Sequence, residues 1–236
     1  MRPASLHVSS SGILLLFVAV TSSPAAPIVP AALNPGDPYH LAFVTQGVGT
    51  ALSSDIEVYN QFVNDEAALN PALTGTDAGV EWFVIGSTGD VAARDNALVG
   101  ADVPIYLLDG VTKIADGFGD LWDTTIDNPF NKDQFLNPSG GETLTGTDSS
   151  GFRATNYDFP AWLGAIGPVA SVQTGCSNAC TNSRWIVFTN RKTDVLLPYY
   201  ALSEELTVVP EPSAVILAAL SLMGLVAYVW RRRRRA

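Results

Sequence analysis

Oxygen-bearing side chains are concentrated between residues 120 and 133. Carboxylate and amide oxygens on a flexible loop are the ligands that calcium takes in proteins. The spacing here differs from that of an EF-hand loop, and Lys132 interrupts the stretch. We therefore predict a solvated acidic loop with no metal and no cofactor. A calcium site formed by four carboxylates is the alternative, and its candidate ligands are Asp120, Asp123, Asp127 and Asp133.

Hydrolytic chemistry has few candidates in this chain. A catalytic triad needs a histidine that exchanges protons near neutral pH, and the sequence contains only His7 and His40. His40 lies between Tyr39 and Leu41 on a predicted strand, where a structural or an exposed histidine is far commoner than a catalytic one. The sequence contains neither GxSxG nor HExxH. We predict no catalytic residue and no enzymatic activity, with a polysaccharide hydrolase using paired carboxylates as the alternative.

Cys176 and Cys180 are the only cysteines in the chain. Outside the cytoplasm a pair of thiols usually forms a disulfide. Zinc needs about four ligands, and no further cysteine or histidine lies nearby to complete such a set. We predict a disulfide that closes a short loop.

The N-terminal 38 residues have the pattern of an export signal followed by a connecting segment. Arg2 precedes an apolar run over residues 13–20, and small residues follow at 21–26. This order is typical of a secretory signal peptide, which we assign to residues 1–26. Residues 27–38 are rich in proline and predict an extended lead-in to a domain over residues 39–206.

The C-terminal stretch combines three features in a fixed order. Pro210, Glu211 and Pro212 come first, followed by residues 213–230, which carry no charge and are mostly apolar. A run of this length is at the short end of what crosses a bilayer as a helix. Arginines then act as a stop-transfer signal that favours the cytoplasmic side. These are Arg231, Arg232, Arg233, Arg234 and Arg235.

The tripartite tail resembles the PEP-CTERM sorting signal of bacterial surface proteins. In that family an exosortase, a membrane-embedded cysteine protease, recognises and processes the tail. The resemblance implies that this chain is an exosortase substrate of a Gram-negative-type bacterium. It would pass through an inner-membrane intermediate and reach the cell surface or the medium. The implied partners are the exosortase, the membrane before processing, and extracellular polysaccharide as a candidate.

The charge of the exported part excludes nucleic acid as a partner. Of the 13 Lys and Arg residues, six lie in the terminal segments, whereas of the 23 acids only Glu211 does. Seven basic and twenty-two acidic residues remain, a net charge of about −15. Phosphate backbones need a positive surface. An acidic surface suits solvent, a divalent cation, or a basic or neutral partner.

Periodicity predicts a single α+β domain. Strands are predicted over 39–45, 80–87, 103–108, 184–190 and 196–206. A capping box formed by Ser54 and Glu57 predicts a helix that ends before Asn70, and further helices are predicted over 90–98 and 112–122. Residues 123–159 are predicted to be mostly loop. The order of strands and helices favours α+β over a doubly wound sheet.

This order also resembles the C-type-lectin-like fold, especially its endostatin branch. The resemblance is carried by Glu81-Trp82-Phe83, Val103-Pro104-Ile105 with Trp122, the sequence GTDSSG at 146–151, and residues 176–188. The calcium and sugar motifs of true lectins are missing, as is the arginine-rich heparin surface of the endostatin branch. The resemblance therefore implies the fold but neither binding activity. We predict a non-catalytic binding or structural module.

Overall fold

The computed structural model describes residues 28–74, 79–97, 99–209 and 214–234. The predicted signal peptide, residues 1–26, lies outside these ranges, as do Pro210, Glu211, Pro212 and Arg235.

The described chain is a mixed α and β structure with many short strands. Strands β1 to β11 are Pro38–Val44, Trp82–Val84, Ile105–Leu107, Lys113–Ala115, Glu142–Leu144, Thr155–Asn156, Phe159–Pro160, Val172–Cys176, Thr189–Arg191, Tyr200–Ser203 and Leu206–Thr207. Helices α1 to α5 are Ile56–Ala68, Pro71–Thr74, Ala93–Asn96, Phe118–Leu121 and Ala214–Arg233. Mixed α and β composition is thus confirmed.

The main sheet has the strand order β2-β10-β1-β3-β4, and β11 extends it by pairing with β1. Strand β1 is central because it pairs antiparallel with β10 and parallel with β3. In register, Ala42 faces Leu202 on one side and Leu107 on the other. Pairing of the first strand with the last two brings both ends of the domain together.

Alternation along β1 divides the core into two clusters, as the two-residue period of a strand requires. Leu41 and Phe43 belong to the cluster that α1 covers, where Trp82 is buried beside Phe43. Ala42 and Val44 belong to the opposite cluster. That second cluster is covered by long connecting segments, which contribute the aromatic side chains Trp122, Phe130 and Trp185. On this face of the sheet, irregular segments cover the core, whereas on the other face helix α1 covers it.

Helix α1 begins one residue later than the capping box predicts. The N-cap is Asp55, whose carboxylate accepts a hydrogen bond of 3.0 Å from the Glu57 N–H. Ser53 donates and accepts within the preceding turn, and its hydroxyl oxygen accepts from the Asp55 N–H at 3.1 Å. The assignment of Ser54 as the cap was wrong, because the aspartate side chain reaches the free N–H of the first turn.

The prediction of a helix over residues 112–122 was also wrong. Lys113–Ala115 forms β4, which pairs with β3, and only the single turn of α4 follows. Gly117 separates the two elements at φ 143°, and a Cβ there would lie 2.4 Å from the Ala101 oxygen. A helix cannot continue through that backbone conformation.

The strand predicted over residues 184–190 is displaced. Asn182 caps a 3₁₀ turn over Ser183–Trp185 by accepting from the Arg184 N–H at 3.1 Å. Trp185 and Ile186 are both buried, which breaks the alternation of a strand and leaves β9 to begin at Thr189. The unpredicted strand β8 lies between β5 and β9. All five residues of β8 are buried, including the polar residues Gln173 and Thr174. Because the strand is not an apolar run, its composition did not predict a buried strand.

Candidate functional site

The loop over residues 145–153 is shaped by the side chain of Asp148. Its carboxylate accepts hydrogen bonds from the backbone N–H groups of Ser150, at 2.8 Å, and Phe152, at 3.0 Å. The Asp148 N–H also donates to the Phe152 carbonyl at 2.8 Å. Gly151 completes the turn at φ 84°. The loop thereby returns on itself and exposes the two residues that follow, Phe152 and Arg153.

A buried hydroxyl pair ties this loop to helix α3. The Oγ1 atom of Thr147 lies 3.0 Å from the Oγ atom of Ser87, and both residues are fully buried. The Ser87 hydroxyl oxygen also accepts from the Ala93 N–H at 2.8 Å, at the first residue of α3. This contact fixes the position of Arg94, the next residue along α3, relative to the loop.

Arg94 is held between two aromatic rings. Its guanidinium carbon lies 4.6 Å from the ring centre of Phe118 and 4.7 Å from that of Phe152. One of its N–H groups donates to the Ser150 carbonyl at 3.2 Å. A guanidinium group stacked on aromatic faces is held in place while its remaining donors stay available.

Arg153 forms the wall of a cleft beside this stack. Its guanidinium donates to the Gly89 carbonyl and lies 5.6 Å from the ring centre of Trp162. This cleft has a volume of about 220 Å³, and a separate, larger cleft of about 380 Å³ is lined by Glu142, Cys176 and Arg191. The polar and aromatic walls of the smaller cleft are formed by Thr88, Gly89, Asp90, Asp95, Phe152 and Arg153. Donors, acceptors and an aromatic ring thus meet in one small depression.

Exposed aromatic side chains are concentrated in one short segment that includes the cleft residues Phe152 and Arg153. Among the described residues of the domain four aromatic side chains are exposed, and three lie within residues 152–159. Phe152 is 48% exposed, Tyr157 89% and Phe159 49%. Tyr157 and Asp158 form the tip of the β6–β7 hairpin. We name the residues Arg94, Phe152, Arg153, Tyr157 and Phe159 the aromatic surface.

The aromatic surface was not predicted from the sequence. Its signal lies in residues 152–159, FRATNYDF, where three aromatic residues and an arginine occur within a segment predicted as loop. The contribution of Arg94 has no local signal, because 58 residues separate it from Phe152 and only the fold brings them together.

The acidic stretch is only partly assembled. The carboxylates of Asp116, Asp120 and Asp127 lie within 4.8 Å of one another, so two of the four candidate calcium ligands are joined by an acid that was not predicted. The amino group of Lys113 lies 2.5 Å from Asp116 and 3.1 Å from Asp127. A lysine thus supplies the positive charge within this group.

The other two candidate ligands are used in local turns. Asp123 accepts from the Thr125 N–H at 2.9 Å. Asp133 is buried, and its carboxylate accepts from the N–H groups of Phe135, at 2.8 Å, and Asn137, at 2.9 Å. These bonds give both aspartates a structural role.

Cys176 and Cys180 are joined by a disulfide that lines the larger cleft. Glu142 and Arg191 also line that cleft, and the Arg191 Nε–H donates to the Glu142 carboxylate at 2.7 Å. A second bond joins the guanidinium to the other carboxylate oxygen. Because Glu142 and Arg191 form hydrogen bonds with each other, this cleft offers a ligand fewer free donors and acceptors than the aromatic surface does.

His40 is buried in the sheet, as expected for a structural histidine. Its Nδ1–H donates to the Ser203 carbonyl at 2.9 Å, and only 1% of the residue is exposed. Burial lowers the pKa of His40, although the carbonyls of Ser203 and Glu204 and the charge of Glu205 oppose that shift. A buried imidazole away from either cleft has no access to a substrate.

The tail contains helix α5, Ala214–Arg233, which overlaps the apolar run over residues 213–230. Leu222, Met223 and Leu225 are exposed on it, and Arg234 lies with its guanidinium 3.7 Å from the ring centre of Trp230. Arg231 to Arg234 are exposed as well. Within the described parts of the chain, no helix has both the length and the apolar character that a membrane crossing requires.

Comparison with known proteins identifies the tail. No curated protein matches the chain. The profile of the PEP-CTERM protein-sorting motif matches residues 208–234, which include Pro210, Glu211, Pro212 and helix α5. The matched segment therefore carries a PEP-CTERM sorting motif, a signal of exported proteins that an exosortase processes.

Proposed function

We propose that this chain is an exported surface or matrix protein whose domain is a non-catalytic binding or structural module. The observation that carries the proposal is the sorting motif over residues 208–234. A sorting motif directs a protein out of the cell and leaves its activity to the domain that precedes it. The acidic surface of that domain suits an extracellular role in solvent.

We further propose that α5 enters the membrane before the tail is processed. Its described apolar side chains Leu222, Met223 and Leu225 are exposed, which is unfavourable in water. The arginines that follow would remain on the cytoplasmic side. An exosortase would then act on the tail and separate the domain from α5.

We also propose a C-type-lectin-like fold for the domain. The predicted order of first strand, helix, aromatic strand, short helix and Val-Pro-Ile strand corresponds to β1, α1, β2, α3 and β3. Strand β1 lies between β10 and β3, so β1, β2 and β3 all belong to the same sheet. Solving the structure of the domain and comparing its topology with lectin-like domains tests this part of the proposal.

A non-catalytic role is favoured over polysaccharide hydrolysis through paired carboxylates. The carboxylates of Asp116, Asp120 and Asp127 meet on the surface, where Lys113 pairs with Asp116 and Asp127, and none of the three lines either cleft. Asp90 and Asp95 both line the smaller cleft and are the pair that such a hydrolase would use, and we propose the non-catalytic role in preference to it. Release of reducing sugar from polysaccharides by the purified chain is the direct measurement, and we expect none.

Delivery through the tail is tested by locating the protein in cells that contain an exosortase. We expect the unaltered chain on the cell surface or in the medium, and we expect the variant with Pro210, Glu211 and Pro212 all replaced by Ala to stay in the inner-membrane fraction. Val209→Ala is the matched control, because it changes an exposed residue of the same segment directly before Pro210 and leaves Pro210, Glu211 and Pro212 intact. Equal distribution of all three proteins would contradict the proposal.

A further inference from the structure

We propose that the aromatic surface binds a neutral polysaccharide chain. This inference rests on the proposed role of the domain as a binding module and assigns that role a site and a class of ligand. It uses the cleft beside Arg153 and the β6–β7 hairpin that leaves it.

The exposed aromatic rings are the first observation that points to a ligand. Aromatic side chains bury large apolar areas, and folded domains rarely leave several exposed together without a use. Here Phe152, Tyr157 and Phe159 are all exposed within eight residues, and the hairpin carrying two of them begins at Thr155, two residues after the cleft residue Arg153. A planar ring offers its face to the C–H groups of a sugar ring. Rings spaced along a hairpin suit a chain of sugars better than a single one.

The polar groups of the cleft provide the second observation. A sugar hydroxyl both donates and accepts hydrogen bonds, so its site needs acceptors and donors together. Asp90 and Asp95 offer carboxylate acceptors, and the guanidinium of Arg153 offers donors beside them. Among the described residues neither Arg94 nor Arg153 forms an ion pair. The N–H groups that they do not give to backbone carbonyls can therefore turn to a ligand.

The charge of the domain selects a neutral polysaccharide over an anionic one. The exported part carries about −15, and Asp90 and Asp95 lie in the cleft itself. A polyanion would be repelled by both, whereas a neutral chain would not. We therefore expect binding that changes little between low and high salt, because no net attraction of charges drives it.

Backbone strain at the hairpin tip is a third observation. Tyr157 has φ 50° and Asp158 has φ 68°, a left-handed conformation that most side chains avoid. Asn or Gly would satisfy this two-residue turn with less strain. A tyrosine that is 89% exposed contributes nothing to the core, so its presence at a strained position points to a use in binding.

Affinity electrophoresis of the full chain in detergent tests the proposal with four neutral polysaccharides: laminarin, hydroxyethylcellulose, galactomannan and dextran. Polygalacturonate serves as the anionic probe. We expect at least one neutral polysaccharide to retard the protein, and polygalacturonate to leave its mobility unchanged. Retardation by none of the neutral polysaccharides, or by polygalacturonate alone, would overturn the proposal.

Two variants of the hairpin separate binding from folding. Tyr157→Asn removes the ring but suits the left-handed turn, so we expect affinity to fall about tenfold or more with an unchanged or higher melting temperature. Asp158→Gly relieves the same turn and keeps the ring, so we expect unchanged affinity. If Tyr157→Asn bound as well as the unaltered chain, the hairpin would have no part in binding and the proposal would fail.

Two arginine variants test the aromatic surface. Arg94→Gln removes the guanidinium between Phe118 and Phe152, and we expect weaker binding. Arg184→Gln is its control, because Arg184 also stacks on a phenylalanine, with 4.6 Å from its guanidinium carbon to the Phe188 ring centre, away from the aromatic surface. If the two variants lowered the affinity equally, the assignment of the binding site to the aromatic surface would be overturned. Because binding is measured on purified protein, failure of tail-dependent delivery would leave this result intact.

Discussion

The side-chain oxygen of Asn60 accepts a hydrogen bond of 3.0 Å from the backbone N–H of Val84. The side chain of a residue in helix α1 thus bonds the free edge of β2, as the backbone of a neighbouring strand would. Asn64 does the same for Trp82, accepting from its N–H at 3.0 Å and donating to its carbonyl at 2.7 Å. Asn96 donates to the Val84 carbonyl at 2.9 Å. Three asparagines thus close an edge that could otherwise pair with another chain.

Replacing Asn60 by Leu is expected to destabilise the domain by about 2–4 kcal/mol. The substitution leaves the Val84 N–H and the Asn96 amide without their buried partner, and each such loss is worth about 1–3 kcal/mol. Urea unfolding of both proteins measures the difference. Gln61→Ala on the exposed side of the same helix is the control, with a change expected below about 0.5 kcal/mol. Similar values for the two would refute the role of Asn60.

Stability is expected to fall on acidification because of His40. Burial lowers the pKa of His40 in the folded state below its ordinary value of about 6.5. Between these two pKa values the unfolded chain binds a proton that the folded chain does not. His40 therefore contributes fully above pH 6.5, and its contribution is lost as pH falls toward the folded-state pKa.

Urea unfolding at a series of pH values checks this expectation. His40→Asn is the matched variant, since its amide can donate to the Ser203 carbonyl in place of the Nδ1–H but does not titrate. We expect a flatter pH profile for the variant between pH 5 and pH 7. Identical slopes in both proteins would assign the acid sensitivity to other groups.

Calcium is expected to leave the melting temperature of the unaltered chain unchanged. The ammonium group of Lys113 already lies against Asp116 and Asp127, where a cation would have to bind. In Lys113→Met these carboxylates lose their cationic partner, so calcium should raise the melting temperature of that variant. Thermal melts with calcium and with chelator measure both. A calcium-dependent rise in the unaltered chain would instead establish a metal site.

Reducing the disulfide is expected to lower the unfolding free energy by no more than about 2 kcal/mol. Cys176 and Cys180 enclose a loop of only five residues, and a short loop removes little entropy from the unfolded chain. Urea unfolding with and without reductant, together with the double variant Cys176→Ser and Cys180→Ser, provides the measurement. Complete unfolding on reduction would mean that the bond holds more than its own loop.

Local signals predicted the elements that local chemistry determines. The aromatic and β-branched residues of β1 and the single buried stripe of α1 each define their own element. The tail was recognised for the same reason, because its three features lie in one short stretch of sequence. Strand β8 was missed because Gly175 disfavours strand and the polar residues Gln173 and Thr174 leave it without an apolar pattern, and pairing with β5 and β9 on both sides overrides this.

The aromatic surface could not be derived from the sequence for a different reason. Arg94 meets Phe152 only after Thr147 and Ser87 bring the loop against α3. The acidic stretch shows the same limit, since Asp116 joins Asp120 and Asp127 while Asp133 turns inward. The spacing of residues along the chain indicates candidate ligands, but long-range packing determines which of them lie close together.

Intact mass of the protein recovered from outside the cells tests the central claim most directly. The cells must contain an active exosortase, and matched cells without it provide the control. The account predicts a product that has lost α5 and the arginines, with cleavage in the matched segment, and it predicts no such product in the control cells. A mass that still extends to Ala236 in both would contradict it.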